Sequence, residues 1–144
     1  MTNERTAAAN KELVRRFYRE VYHNWDMSMV STVLSPRFRS HDWPEGGATG
    51  QLPFLAYYAE IRRALPDARY EVDDLIAEDD RVVVRWRLLG THEGEFRGIP
   101  ASGRAIALKG IAIYRVEEGK LVDRWVVTDL YGLLQELWEP AAQY

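Results

Sequence analysis

The spacing of apolar positions changes once along the chain. Up to about residue 65 they recur every three or four residues, and beyond it they alternate. The first regime predicts helices. Over 8–23, Leu13, Val14, Phe17, Tyr18 and Val21 form one stripe, with Lys11, Arg15, Arg16 and Arg19 on the other side. Asn10 is a candidate cap for this helix; the alternative is a start earlier in the alanine run. A second, short helix over 26–34 opens on Asp26 as N-cap and closes at Ser35-Pro36. A short strand over 38–42 and a glycine-rich loop over 44–50 follow. The third helix, over 51–65, has Pro53 in its first turn and an apolar stripe of Phe54, Leu55, Tyr58, Ile61 and Leu65. Pro66-Asp67 stops it.

The alternating regime predicts strands over 70–78, 81–92, 104–116 and 121–129. Turns join them at 79–80 and 117–120, and a loop at 94–103. Over 81–92, Val82, Val84, Trp86 and Leu88 share one face and Arg81, Arg85 and Arg87 the other, as in a half-buried antiparallel strand. A short amphipathic segment over 130–138 ends the pattern. Helices followed by an antiparallel meander make an α+β fold in a single domain, 1–144. A curved sheet with three N-terminal helices across its concave side would enclose a cone-shaped pocket.

Composition narrows the functional classes. Net charge is −3 with acids and bases interspersed, and the arginines form no tract. Neither a nucleic-acid surface nor a membrane surface is expected. The absence of cysteine removes disulfides, thiolate metal sites and a cysteine nucleophile. No apolar run approaches the roughly 18 residues of a membrane span, and the N-terminus lacks a secretory pattern. The expectation is a cytoplasmic protein. Five Trp, eight Tyr and four Phe suit either a core or a pocket for a flat apolar ligand, and the two are compatible.

Chemistry concentrates at a few positions. On a strand over 121–129, Trp125, Val127 and Asp129 share one face, so parity turns Asp129 toward the pocket. There it would be a general acid or base; the alternative is a cap for the last helix. His92 continues the face of Val82 to Leu88. It is either a core histidine satisfied by a neighbour or a donor to a developing oxyanion. His41 ends the first strand, as a further polar group of the pocket or a loop residue. His41, His92 and Asp129 lack the short paired spacing of a metal site, and no metal is expected. No serine sits in a nucleophile elbow, and no glycine-rich phosphate loop is present.

Three stretches carry a resemblance that spans most of the chain. Gly90-Thr-His-Glu-Gly-Glu-Phe-Arg-Gly-Ile-Pro-Ala-Ser-Gly-Arg104 resembles the signature loop of the SnoaL-like polyketide cyclases, or ester cyclases. Trp125-Val-Val-Thr-Asp-Leu-Tyr-Gly-Leu-Leu-Gln135 and Leu34-Ser-Pro-Arg-Phe-Arg-Ser-His-Asp42 are similar to further stretches of that family, and Leu65-Pro-Asp67 to one of its turns. Ser102 stands where the family more often has threonine. The resemblance implies the cone-shaped fold of nuclear transport factor 2. It also implies intramolecular aldol ring closure of a polyketide-like aromatic ester, with no cofactor and no covalent intermediate. Asp129 falls at the family's acid/base position, with His92 beside it. His41, Trp125, Trp86, Tyr114 and Phe54 are the expected substrate-binding residues. The alternatives are a same-fold hydrolase or isomerase, such as an epoxide hydrolase, and a non-catalytic carrier of a small hydrophobic or aromatic ligand. Ile111, Ile113, Val126 and Leu89 on the outer face predict a homodimer or homotetramer.

Overall fold

A computed structural model describes residues 3–44 and 46–138; the expected domain limits at 1 and 144 lie outside them. Helix α1 spans Asn3–Arg16 and runs on, widened to a π-helix, over Phe17–His23. At its end the Asn24 N–H donates to the Arg19 carbonyl at 3.0 Å. The widening keeps Phe17, Tyr18, Val21 and Tyr22 all buried on one side. Asn10 caps nothing: it is buried in mid-helix, and its Nδ2 donates to the Asp79 carbonyl at 3.3 Å. Asp26 does cap, accepting from the Ser28 N–H at 3.0 Å ahead of a 3-10 turn (Met27–Met29) and α2 (Val30–Val33). Helix α3 covers Gln51–Ala64, and the five residues of its expected stripe are all buried.

Strands β1 (Leu34–Ser40), β2 (Ala48–Thr49), β3 (Arg69–Glu78), β4 (Arg81–Thr91), β5 (Ala105–Glu117) and β6 (Lys120–Thr128) form one sheet in the order β2-β1-β6-β5-β4-β3. Strands β3 to β6 are the expected antiparallel meander. The first strand begins earlier than expected and pairs with β6 in parallel, so the sheet is mixed. Helix α4 (Leu130–Trp138) follows β6 directly. Among the described residues no helix is long and apolar enough to cross a membrane.

Helices α1 and α3 pack on the inner face of the sheet. Val82, Val84, Trp86 and Leu88 of β4 are buried there, as their alternation predicts. Two β-bulges within the antiparallel meander re-aim the side chains. One, between Val72 and Asp74, turns two adjacent acids outward, where Asp73 meets Arg87 and Asp74 meets Arg85. The other inserts Val122 into β6: Val116 pairs with Leu121, but Arg115 pairs with Asp123. A one-residue insertion exchanges the faces of everything beyond it. Arg124 and Val126 therefore point inward, Trp125 is half-buried, and Val127 is 78% exposed. The inward parity expected for Trp125, Val127 and Asp129 is reversed.

Candidate functional site

The inner face of the sheet and helix α3 enclose a small chamber. Tyr57, Tyr58 and Ile61 come from α3, Trp86 and Leu88 from β4, and Arg124, Val126 and Thr128 from β6, with Trp43, Tyr70 and Leu108 completing the wall. Its free volume is about 20 Å³, room for about one water molecule. A larger recess of about 570 Å³ lies outside it, between α3 and the segment 94–98, and shares Tyr57 and Ile61 with the chamber wall. Gly110 makes space for the Trp86 indole: a β-carbon there would lie 2.3 Å from Trp86 Cζ2.

The centre of the site is Arg124, 1% exposed. Its Nη2 donates to the Tyr58 hydroxyl at 2.7 Å, its Nη1 to Ser40 Oγ at 2.9 Å and the Trp43 carbonyl at 3.3 Å, and its Nε to the Tyr114 hydroxyl at 3.3 Å. The rings of Phe54 and Tyr58 lie 5.2 and 5.7 Å from the guanidinium carbon. Tyr114 passes the network on to the Tyr18 hydroxyl, 3.0 Å away. Burial pushes the hydroxyls of Tyr18, Tyr22 and Tyr70 well above their ordinary range, and that of Tyr58 up to about 12, against the opposing pull of Arg124. These tyrosines are neutral donors at physiological pH.

The residues expected from the sequence divide into two groups. Trp86 lines the chamber, and Phe54 and Tyr114, both fully buried, pack on or bond to Arg124. His41 and Trp125 lie on the outer face, where their rings stack at 4.7 Å and 3°. There His41 Nε2 bonds Asp123 Oδ1 at 2.8 Å, and Arg115 Nε donates to Asp123 Oδ2 at 2.6 Å. Burial alone would raise the Asp123 carboxyl, but these two hydrogen bonds outweigh it and hold it below the usual range. Asp129 is exposed and caps α4, accepting from the Gly132 N–H at 3.2 Å. It borders an outer groove with Arg85, Arg87 and Lys109. Val126, expected on the outer face, is buried, while Ile111 and Ile113 are exposed there as expected. His41, His92 and Asp129 are not brought together.

His92 is fully buried, but it is not part of the chamber wall. Its Nδ1 bonds Ser102 Oγ at 2.8 Å, while its backbone carbonyl accepts from the N–H groups of Ser102 and Gly103. Neighbouring residues of the signature loop are tied down likewise. Thr91 donates through its N–H and hydroxyl to the Asp67 carboxylate at 2.7 and 2.8 Å, which holds that carboxyl below its usual range. The N–H groups of Glu93 and Gly94 both donate to the Ala64 carbonyl at the end of α3. A β-carbon at Gly94 would lie 2.3 Å from the Arg63 carbonyl oxygen, so only glycine fits. The Thr-His-x-Gly part of the loop therefore fastens it to α3.

Sequence reasoning missed Arg124. Its signal was faint: an arginine amid Trp125, Val126 and Val127, which parity without the bulge turned outward.

Comparison with known proteins agrees with this architecture. The sequence profile of the SnoaL-like polyketide cyclases matches residues 12–137. No protein of curated function matches. Among solved structures, a protein assigned as a SnoaL-like polyketide cyclase from Jannaschia sp. CCS1 has a TM-score of 0.84 at 25% identity, covering 92% of this chain and 94% of that one. TsrD from Streptomyces laurentii has a TM-score of 0.80 at 28% identity, covering 91% and 96%. AclR from Streptomyces galilaeus, assigned as a hydroxylase, has a TM-score of 0.80 at 27% identity, covering 90% and 96%. With a match running from the first helix to the last, on a cone of helices over a curved sheet, this chain belongs to the SnoaL-like polyketide cyclase family.

Proposed function

We propose that the protein closes a ring on a small, polyketide-like aromatic ester by intramolecular aldol addition, in the chamber opened toward the outer recess by displacement of Tyr57 and Ile61. The observation that carries this reading is an aromatic-walled chamber, supplied with proton donors around Arg124, in a chain of the cyclase family. The chemistry asks little of the protein. A base takes an acidic C–H whose carbanion is delocalised over adjacent carbonyls and rings. The enolate carbon then adds to a carbonyl, and the resulting alkoxide takes a proton. Donors fixed in a dry site stabilise the oxygens on which charge develops.

The family resemblance assigns the proton transfer to Asp129 and a supporting role to His92. Asp129 directly follows Thr128, a residue of the chamber wall, but its carboxylate borders the outer groove, so this role requires it to leave the Gly132 N–H and turn toward the chamber. His92 acts through Ser102, by fixing the loop. The test is Asp129→Asn assayed on an aromatic polyketide ester that the wild type converts. Asparagine caps a helix as well as aspartate does, so the substitution removes the base and keeps the fold. Turnover should fall by about 100-fold or more. A loss below about threefold would leave Asp129 as a cap alone.

A second reading, a carrier of a small aromatic ligand, is favoured by one observation. Among the described residues the chamber wall carries neither a carboxylate nor an imidazole. The same observation counts against an epoxide hydrolase, which needs an acid to hold its water.

A further inference from the structure

Among the described residues, Arg124 is a buried cation without an anion. Each of its partners is neutral: two tyrosine hydroxyls, a serine hydroxyl and a backbone carbonyl. Among the described residues no carboxylate lies within ion-pairing distance of it. Arginine cannot shed its proton, and the surrounding tyrosines keep theirs, so the chamber holds an uncompensated positive charge. A guanidinium has five N–H groups, and the four hydrogen bonds leave one on Nη2 unused.

Two further donors meet the same space. Among the described residues, Trp86, 6% exposed, has no partner for its indole N–H, and the buried Tyr70 hydroxyl has none either. Both residues line the chamber with Arg124. Buried polar groups left unpaired are costly, and three around one cavity with no matching acceptor point to something that binds there. A water would satisfy some of the donors but not the charge. A ligand cation would be repelled, and a neutral ester offers acceptors without charge.

We propose that the chamber selects its ligand by an ionised oxygen, a carboxylate, phenolate or enolate on a planar conjugated skeleton, received by Arg124, the Trp86 indole N–H and the Tyr70 hydroxyl. This rests on the reading that the chamber is the ligand site, and it adds the charge of the ligand's buried end. The skeleton enters from the outer recess by displacing Tyr57 and Ile61, the residues shared by the recess and the chamber.

The test uses two probes of one shape, 2-naphthoate and its neutral amide, titrated calorimetrically into the full-length protein at neutral pH. The naphthoate should bind at least tenfold more tightly. In the Trp86→Phe/Tyr70→Phe double variant, which removes both donors, that ratio should shrink at least threefold with an unchanged far-ultraviolet spectrum. Equal affinities, a preference for the amide, or no binding of either probe would overturn the proposal. So would a ratio unmoved by the double variant. Because binding alone is read, loss of the anion preference and absence of ring closure are separate outcomes.

Discussion

Gly110 shows how one missing side chain shapes the site. It faces inward on β5, between Trp86 on β4 and Thr128 on β6. An added methyl group would meet Trp86 Cζ2 at 2.3 Å and the Val127 carbonyl oxygen at 2.9 Å. The indole fills that space, and backbone cannot retreat as a flexible side chain can. Gly110→Ala should cost about 1–3 kcal/mol through overpacking, read as a lower urea midpoint. A midpoint equal to wild type would mean that the indole has another place to go. Arg124 is the other decisive residue. It keeps a full charge in a core of aromatic rings because four hydrogen bonds and two ring faces replace its water.

At the scale of elements, the loop between β4 and β5 is held by a few specific bonds. Removing the Ser102 hydroxyl would leave a fully buried imidazole held only by the long bond from the Ser102 N–H to Nδ1, 3.3 Å, since among the described residues Nε2 already lacks a partner. Ser102→Ala should therefore cost about 1–3 kcal/mol and speed amide exchange across residues 93–104. Ser102→Thr should restore wild-type protection. Exchange unchanged in the alanine variant would show that the ties to Ala64 and Asp67 hold the loop unaided. Strand β6 teaches the complementary lesson. Its sequence, Leu-Val-Asp-Arg-Trp-Val-Val-Thr, is apolar on both parities, so alternation could not choose a face. The inserted Val122 made the choice, bringing Arg124 inside and Trp125 outside. Nothing local to Val122 marks a bulge, because a bulge exists only relative to a partner strand.

At the scale of the whole molecule, the sheet separates two kinds of polar chemistry. The inner face holds Arg124 among neutral hydroxyls. The outer face holds ion pairs: Arg87 to Asp73 at 2.8 and 2.9 Å, Arg85 to Asp74, and Arg115 to Asp123. Hydrogen bonds from Arg87 outweigh burial and hold the Asp73 carboxyl below the usual range. A carboxyl depressed in the folded state adds stability above its unfolded value, about 3.9, and loses it as pH falls through the folded value. The urea midpoint of the wild type should thus decline below about pH 4. Asp73→Asn should be less stable at neutral pH and lose less on acidification. An equally steep decline in that variant would shift the acid sensitivity to other groups, Asp123 foremost.

The amino-acid sequence alone set the change from helical to alternating period, and with it the α+β order. It determined the stripes of α1 and α3 and the inner face of β4, because each is a periodicity that one chain segment carries alone. It also carried the family, through the loop of residues 90–104 and the segment 125–135. The three-dimensional packing settled which face of β6 is inside, that β1 joins it in parallel, and that His41 and Trp125 stack outside. It alone showed His92 serving the loop and Arg124 at the centre of the chamber. The physical reason is common to all of these. Side-chain direction at a bulged or parallel strand is fixed by hydrogen bonds to residues distant in sequence. A charge can be buried only where several segments together replace its water.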